Sequence, residues 1–346
     1  MISGISTRSI QKALERSLVN LQREMADMQV AVQTAKFADI GLSLGAKTGT
    51  SVSFLRDMRR LESILDTNKL AATRLEATQN SLSTLRTATN AVLSALTAGN
   101  QSADGRKISA ESAKSALASM TSSLNAAVGG QHIFAGINSD VAPINTGNGI
   151  PAGIEMDAAF LARFGFAKND PAAVVITVTA FQDFISDDVM PMFNGAGWNS
   201  IVSSASDTLI QSRITLKEVS STSVSANEEG VRGTFLAAAL AANFLDTPLS
   251  TAVADDIVKN SVSMSATADS KVAAIQSQAG LIQERVSQAD TKVSTQRDML
   301  ATAGGNLASV DPYEASVRLN ALLTQIETSY ALTQKIQNMS ILKYLR

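Results

Sequence analysis

The chain contains no cysteine and only one histidine, His132, among its 346 residues. Without cysteine there are no disulfides, no thiol catalysis and no cysteine-based metal site. An enzyme needs a pocket of convergent titratable groups, and such a pocket is hard to build from one histidine and no cysteine. We therefore expect a protein without enzymatic activity, cofactor or metal. His132, which lies close to Phe134 in the sequence, is expected to be structural.

The sequence also lacks long apolar runs. No uninterrupted apolar stretch comes near the roughly 18 residues of a membrane-spanning helix, so we expect no membrane insertion. The opening residues MISGISTRSIQKALERS lack the apolar core and the cleavage site of a secretory signal peptide, so any export is expected to leave the N-terminus in place. A net charge of −2 with 17% charged residues does not favour nucleic-acid binding.

Proline is scarce, and its positions divide the chain into regions of different character. Residues 1–142 and 249–311 contain none, whereas five of the six prolines lie between positions 143 and 248. Because proline breaks helix interiors, the outer regions are free to form long helices and the middle is not. The single tryptophan and nine of the eleven phenylalanines lie between residues 134 and 244, which indicates a globular insert there.

A heptad pattern predicts a coiled-coil helix over residues 8–36. Its apolar positions alternate spacings of four and three residues, and they are Leu14, Leu18, Leu21, Met25, Met28 and Val32. Three glycines between residues 41 and 49 end the pattern. Further helices are predicted over residues 51–98, 106–128, 228–245 and 259–304.

The middle of the chain carries a different pattern. Residues 173–181 and 207–224 alternate apolar and polar side chains and are rich in Val, Ile and Thr, so we expect strands there. Towards the end of the chain, the glycine pair at residues 304–305 and the Asp-Pro pair at 311–312 are expected to interrupt the helical pattern.

The last predicted helix begins near residue 313 and is apolar on two sides. A helix that is apolar on more than one face is normally buried on more than one face. The heptad of residues 8–36 can cover only one side, so the pattern predicts an assembly interface with other molecules. Packing inside a monomeric helical bundle is the alternative that periodicity alone leaves open. One side carries Leu319, Leu322, Leu323, Ile326 and Tyr330, and roughly the opposite side carries Leu332, Ile336, Met339 and Leu342, with Leu345 close behind.

Two kinds of short motif invite chemical interpretations that the sequence does not support. GLSLGAKT at residues 41–48 resembles a phosphate-binding loop, but Ala46 stands where that loop needs a glycine, and no strand leads into it. Acidic pairs at 187–188, 228–229 and 255–256 lack the alternating oxygen-ligand spacing of a calcium loop. We expect a flexible joint at the first motif and solvated or helix-capping carboxylates at the acidic pairs.

Both ends of the chain resemble the flagellin superfamily. ALERSLVNLQREMADMQVAV at residues 13–32 is similar to the opening coiled-coil helix of that family, and LLTQIETSYALTQKIQNMSILKYL at residues 322–345 is similar to its closing helix. The resemblance covers about residues 1–136 and 260–346. After the first helix, residues 35–49 have one aspartate and no proline where the family often has paired aspartates, which indicates a divergent lineage.

A further stretch, GGQHIFAGINSDVAPI at residues 129–144, resembles the segment of hook-associated junction proteins in which a helix ends and the chain enters an outer domain. The resemblance implies a structural component of the bacterial flagellum that joins a hook-side adaptor protein to the flagellin filament. It also implies self-assembly into a ring, a cytosolic export chaperone and an extracellular location. A filament-forming flagellin is one alternative, and a signalling or scaffolding coiled-coil protein is an alternative from another class.

The fold implied by the resemblance is mainly α with a β-containing insert, and its N- and C-terminal helices pair as an elongated coiled-coil core. Residues 1–45 and 310–346 would form an inner domain of terminal helices. Residues 46–136 and 201–309 would form a middle helical domain with a small β element. Residues 137–200 would form an outer insert.

Overall fold

The computed structural model describes residues 7–99, 102–145 and 149–344, and it describes their side chains except those of residues 7, 8, 10, 11 and 336–344. Within these residues helices predominate, and the strands form two short antiparallel pairs. The prediction of a mainly α fold with a small β component is therefore confirmed.

The chain alternates long helices with short helical turns and two hairpins. The α-helices in chain order are α1 (Thr7–Thr34), α2 (Ile40–Leu44), α3 (Thr48–Gly99), α4 (Ala103–Leu124), α5 (Gly153–Phe164), α6 (Val178–Phe184), α7 (Gly195–Ile201), α8 (Glu229–Phe244), α9 (Thr251–Ala308) and α10 (Pro312–Tyr344). The hairpins pair β1 (Ala127–Val128) with β2 (Gln131–His132) and β3 (Gln211–Arg213) with β4 (Val219–Ser221).

The long helices follow the predicted boundaries closely, with one exception. The helices predicted over residues 8–36 and 51–98 correspond to α1 and α3. The exception is α9, which is longer than predicted at both ends and continues through the glycine pair at 304–305 to Ala308. Glycine lowers helix propensity by only about 1 kcal/mol per residue, and a helix held by packing on both sides of the pair tolerates that cost.

The strand predicted over residues 173–181 is wrong, because that segment is helical. It forms a 3₁₀ turn at Pro171–Val175 and the start of α6. The Asp170 side chain accepts a hydrogen bond from the backbone amide two residues later (2.8 Å), and the Thr177 hydroxyl accepts one from the amide three residues later (3.2 Å). Such side-chain caps start helices, and here they outweigh the alternating pattern of the segment. The strands predicted over residues 207–224 are confirmed in part, as β3 and β4.

The structure divides into two compact units. The terminal unit comprises Met1–Glu62 with Ser294–Arg346, and the central unit comprises Ser63–Val293. Both boundaries fall inside long helices, α3 and α9. The division into three domains expected from the sequence stays a prediction.

Helix α8 supplies the middle of the hydrophobic core of the central unit. Its side chains are buried along almost the whole helix, and α4 packs against it. Near the middle of the helix, the ring of Phe235 lies 5.7 Å from that of Trp198. Near its C-terminal end, Phe244 lies 5.5 to 5.8 Å from the rings of Phe160, Phe181 and Phe184. The segment expected to be an outer insert therefore shares its core with α8.

Candidate assembly interface

In the terminal unit, α1 and α10 pack against each other in antiparallel orientation. This confirms the expectation that the terminal helices pair. The buried seam between them contains Ala31 of α1 and Ala315, Leu322 and Ile326 of α10. Leu322 and Ile326 are 4% and 9% exposed, so one copy of the chain already removes them from water.

Backbone hydrogen bonds fix the register of the two helices where the chain enters and leaves them. Phe37 N donates to the carbonyl oxygen of Ala308 (3.1 Å), and Val310 N donates to that of Ala35 (2.9 Å). These two bonds join the segment after α1 to the segment before α10. Because they join main-chain groups, they fix which residues face each other at this end of the helix pair.

Two side-chain contacts also join the two helices. Arg318 Nη2 lies 2.7 Å from Glu24 Oε1, and Gln22 Nε2 donates to the hydroxyl oxygen of Tyr330 (3.1 Å). All four side chains are substantially in contact with solvent, so these contacts add little to stability.

The predicted interface residues whose side chains are described fall into three groups by their exposure to solvent. Leu322 and Ile326 are buried in the seam. A second group is half-buried: Leu14, Leu18, Leu21, Met25, Met28 and Val32 on α1 and Leu319 on α10. Leu323 and Tyr330 stay 42% and 52% exposed, although the sequence placed them on the face shared with Leu322, and Leu332 is 50% exposed.

The remaining predicted interface residues lie where side chains are not described. Ile336, Met339 and Leu342 lie on the last part of α10, within the helix but outside the described side chains. Leu345 lies outside the described residues altogether. The role of these four residues in assembly stays a prediction.

Sequence reasoning missed the two alanines of the seam. It followed large apolar side chains, whereas Ala31 and Ala315 are buried because they are small enough to let the helices approach closely. A signal for one of them was present. Ala315 lies one heptad before Leu322, so it occupies the same position of the repeat.

The stretch at residues 129–144 forms a structured connection within the central unit. It begins in the turn between β1 and β2, where Gly129 and Gly130 adopt left-handed φ values of +60° and +79°. The buried Phe134 then accepts a hydrogen bond on its carbonyl oxygen from Ala226 N (2.8 Å). His132 is half-buried, and its Nδ1 lies 2.8 Å from the carbonyl oxygen of Asn125, a contact that ties β2 to the end of α4.

Gly136, in the FAG sequence of this connection, is required by the backbone. Its φ is +61°, and a Cβ at this position would lie 2.5 Å from the carbonyl oxygen of Ser206 and 2.7 Å from that of Thr208. Only glycine fits such an approach. The backbone of the connection is therefore in direct contact with the backbone of the segment that leads into β3.

A carboxyl of the central unit, that of Glu228, has a shifted pKa. Burial raises the pKa of the Glu228 carboxyl above its usual range; the nearby Arg232 guanidinium opposes that rise, and Asp207 adds to it. Within the described part of the chain, no three acidic, histidine or cysteine side chains are grouped to hold a metal ion. The described helices include none that is long and apolar enough to cross a membrane.

Comparison with known proteins bears on the two ends of the chain. Residues 5–139 match the family model of the bacterial flagellin N-terminal helical region, and residues 262–345 match that of the bacterial flagellin C-terminal helical region. No curated protein sequence matches the chain. One solved structure that matches is provisionally described as a flagellar hook-associated protein from Vibrio parahaemolyticus. It shares 14% identity at a TM-score of 0.40, over 88% of this chain and 100% of that one.

The two family matches coincide with the helices that the structure pairs. The N-terminal match includes α1 and the C-terminal match includes α10, and the antiparallel seam joins them. A chain of this kind is a helical structural protein of the bacterial flagellum. It belongs to the flagellin family.

Proposed function

We propose that this flagellar protein is the junction component that joins a hook-side adaptor to the flagellin filament. It acts as a structural subunit without enzymatic activity. Copies assemble into a ring through the terminal unit, with α1 and α10 forming the inner, coiled-coil layer. The predicted three-domain arrangement, with an outer insert at residues 137–200, is part of this proposal.

The observation that carries the assembly is the apolar surface that α10 leaves uncovered. Leu323, Tyr330 and Leu332 are each about half exposed although α1 already packs on the same helix. Burying such side chains is favourable by about 25 cal/mol for each Å² of apolar surface removed from water. A second copy, or an adjacent flagellar subunit, supplies that cover in a polymer.

The connection at residues 129–144 favours the junction role over a role in the filament itself. Its sequence resembles the corresponding segment of hook-associated junction proteins. In the structure it is a defined element, closed by the approach of Gly136 to Ser206 and by the contact of His132 with Asn125. These contacts support a role for the motif as the entrance to the rest of the central unit.

The partners follow from this role. They are copies of the same chain, the hook-side adaptor, the first flagellin subunits and a cytosolic chaperone that covers the apolar terminal helices before export. The protein would then be extracellular, exported without a cleaved signal peptide.

Electron microscopy of flagella from a strain that lacks the gene tests the proposal. We expect hooks without filaments and flagellin released into the medium, and restoration of filaments when the intact chain is supplied from a plasmid. Filaments of normal length and number on the deletion strain would contradict the junction role.

A filament-forming flagellin is the second candidate, because both family matches are to flagellin regions. Immunogold labelling of an epitope on the chain separates the two roles. A junction protein gives a single band at the distal end of the hook, whereas a filament subunit gives label along the whole filament.

A further inference from the structure

Three polar side chains from separate segments meet in the central unit. They are Asp157 on α5, Lys168 in the segment after α5, and Asn243 near the end of α8. Lys168 Nζ donates a hydrogen bond to Asn243 Oδ1 (2.5 Å) and lies 2.8 Å from Asp157 Oδ1. The same carboxylate oxygen accepts a hydrogen bond from Asn243 Nδ2 (2.9 Å). One oxygen atom thus contacts both the amine and the amide nitrogen.

This group lies beside a pair of buried aromatic rings. Asn243 is 4% exposed. Lys168 Nζ lies 5.9 Å from the centre of the Phe244 ring, and the rings of Phe244 and Phe160, both fully buried, are stacked 5.8 Å apart. The amide of Asn243 is thus kept from water, whereas the side chains of Lys168 and Asp157 are 20% and 46% exposed and stay in contact with solvent.

We propose that Lys168 and Asn243 form a covalent amide bond between their side chains, and that Asp157 is the catalytic residue that moves the protons. The geometry supplies the requirements for such a reaction without an added reagent. The amine is held 2.5 Å from the oxygen of the amide it would attack, and the Asp157 carboxylate contacts both the nucleophile and the leaving nitrogen. The inference does not rest on the junction role proposed above.

The reaction balances with the atoms that are present. Asp157 takes a proton from the Lys168 ammonium, and the freed lone pair of Nζ attacks Asn243 Cγ to form a tetrahedral intermediate. Asp157 then gives its proton to Nδ2, the Cγ–Nδ2 bond breaks, and ammonia leaves with the remaining proton of the new amide as ammonium. The products are one Nζ–Cγ amide, one ammonium ion and the regenerated Asp157 carboxylate.

The bond would be a covalent cross-link within the central unit of a chain that has no cysteine for a disulfide. Lys168 and Asn243 are 75 residues apart in the sequence, so the link closes a long loop and limits the unfolded chain, as a disulfide of that span does. Unlike a disulfide, an amide is indifferent to reducing agents.

Intact mass spectrometry of the purified full-length protein tests the proposal directly. We expect a mass about 17 Da below that of the sequence, because one ammonia is lost. After trypsin digestion, residues 164–168 should not appear as a free peptide. Lys168 should instead join the peptide of residues 233–259 in one branched product. A folded wild-type protein with the full sequence mass after prolonged incubation at 37 °C would overturn the proposal and leave a simple hydrogen-bond network.

Two variants locate the reaction. K168R keeps the positive charge and should show the full sequence mass, because its guanidinium does not attack the amide. A deficit of 17 Da that persists in K168R would overturn the proposal, since the Asn194-Gly195 pair can also lose ammonia by cyclising with its own backbone. D157N should form the bond at least about a hundredfold more slowly, and circular dichroism confirms that each variant is folded. Unchanged kinetics in folded D157N would refute the role of Asp157.

Discussion

The side chain of Asn125 hydrogen-bonds to both backbone groups of Ile144, 19 residues further along the chain. Its Nδ2 donates to the carbonyl oxygen of Ile144 (2.9 Å), and Ile144 N donates to its Oδ1 (2.9 Å). The Asn125 amide thus forms the two hydrogen bonds that the backbone of a neighbouring strand would otherwise form with Ile144. The side chain of Asn125, at the end of α4, joins the beginning of the connection to its far end at Ile144.

The first prediction concerns these two hydrogen bonds. Asn125→Ala leaves the amide and carbonyl groups of the buried Ile144 without these partners, so we expect it to lower the free energy of unfolding of the central unit by about 2 kcal/mol or more. Urea unfolding followed by circular dichroism measures the loss. Asn138→Ala is the matched control, because Asn138 is exposed and donates one bond, to the carbonyl oxygen of Ser204 (3.1 Å). Equal losses in the two variants would contradict the prediction.

The second prediction separates two adjacent leucines of α10. Leu322→Ala empties a place in the seam with α1 and should destabilise the pairing by about 2–3 kcal/mol, whereas Leu323→Ala should cost less than about 1 kcal/mol. Hydrogen exchange of the backbone amides of α1 reports the difference, since α1 loses its partner surface only in the first variant. Faster exchange in the Leu323 variant than in the Leu322 variant would show that Leu323, and not Leu322, packs against α1.

The third prediction addresses assembly rather than folding. Leu323→Asp puts a charge on the uncovered face of α10, where a neighbouring subunit would have to desolvate it, so we expect assembly to be lost and hydrogen exchange in α1 to be unchanged. Sedimentation under polymerising conditions measures assembly. Asn320→Asp adds the same charge at an exposed polar position and should assemble nearly normally. Normal assembly of the Leu323 variant would remove this face from the interface.

The fourth prediction uses two glycines of the same connection. Both have φ near +60°, but a Cβ at Gly136 would collide with two backbone carbonyl oxygens, whereas a Cβ at Gly129 would have nothing within 4 Å. Gly129→Ala should therefore cost only about 1–2 kcal/mol, for the left-handed backbone. Gly136→Ala should cost clearly more, because the backbone around it must move. Thermal unfolding of the two variants gives the comparison, and a milder effect at Gly136 would be inconsistent with the close approach seen here.

The fifth prediction follows from the raised pKa of Glu228. A carboxyl whose pKa is higher in the folded state binds more protons there, so its contribution to stability is fully present below its unfolded pKa of about 4.3 and is lost as the pH rises through the folded pKa. Glu228→Gln, which stays neutral, should raise Tm at pH 7 and lose this advantage near pH 4. A variant that is less stable than the wild type at pH 7 would show that the Arg232 attraction outweighs burial.

Much of the fold can be predicted from local patterns in the sequence. The heptad from Leu14 to Val32 and the absence of proline before residue 143 are enough to place α1 and α3, because helix periodicity repeats every few residues. The resemblance of both ends to flagellins is equally local. The segment at residues 173–181 shows the limit of such patterns, since two capping side chains there convert an alternating sequence into helical turns.

The sequence alone determined that α10 is apolar on more than one side; the tertiary structure decided which side is covered. Leu322 and Leu323 are adjacent and chemically identical, and only the position of α1 makes one buried and the other exposed. The cluster of Asp157, Lys168 and Asn243 left no trace in any local pattern, because its members are up to 86 residues apart and meet only when α5 and α8 pack on the same aromatic core. Periodicity reports the face that a helix offers to a partner, whereas burial and side-chain chemistry depend on which distant segment occupies that face.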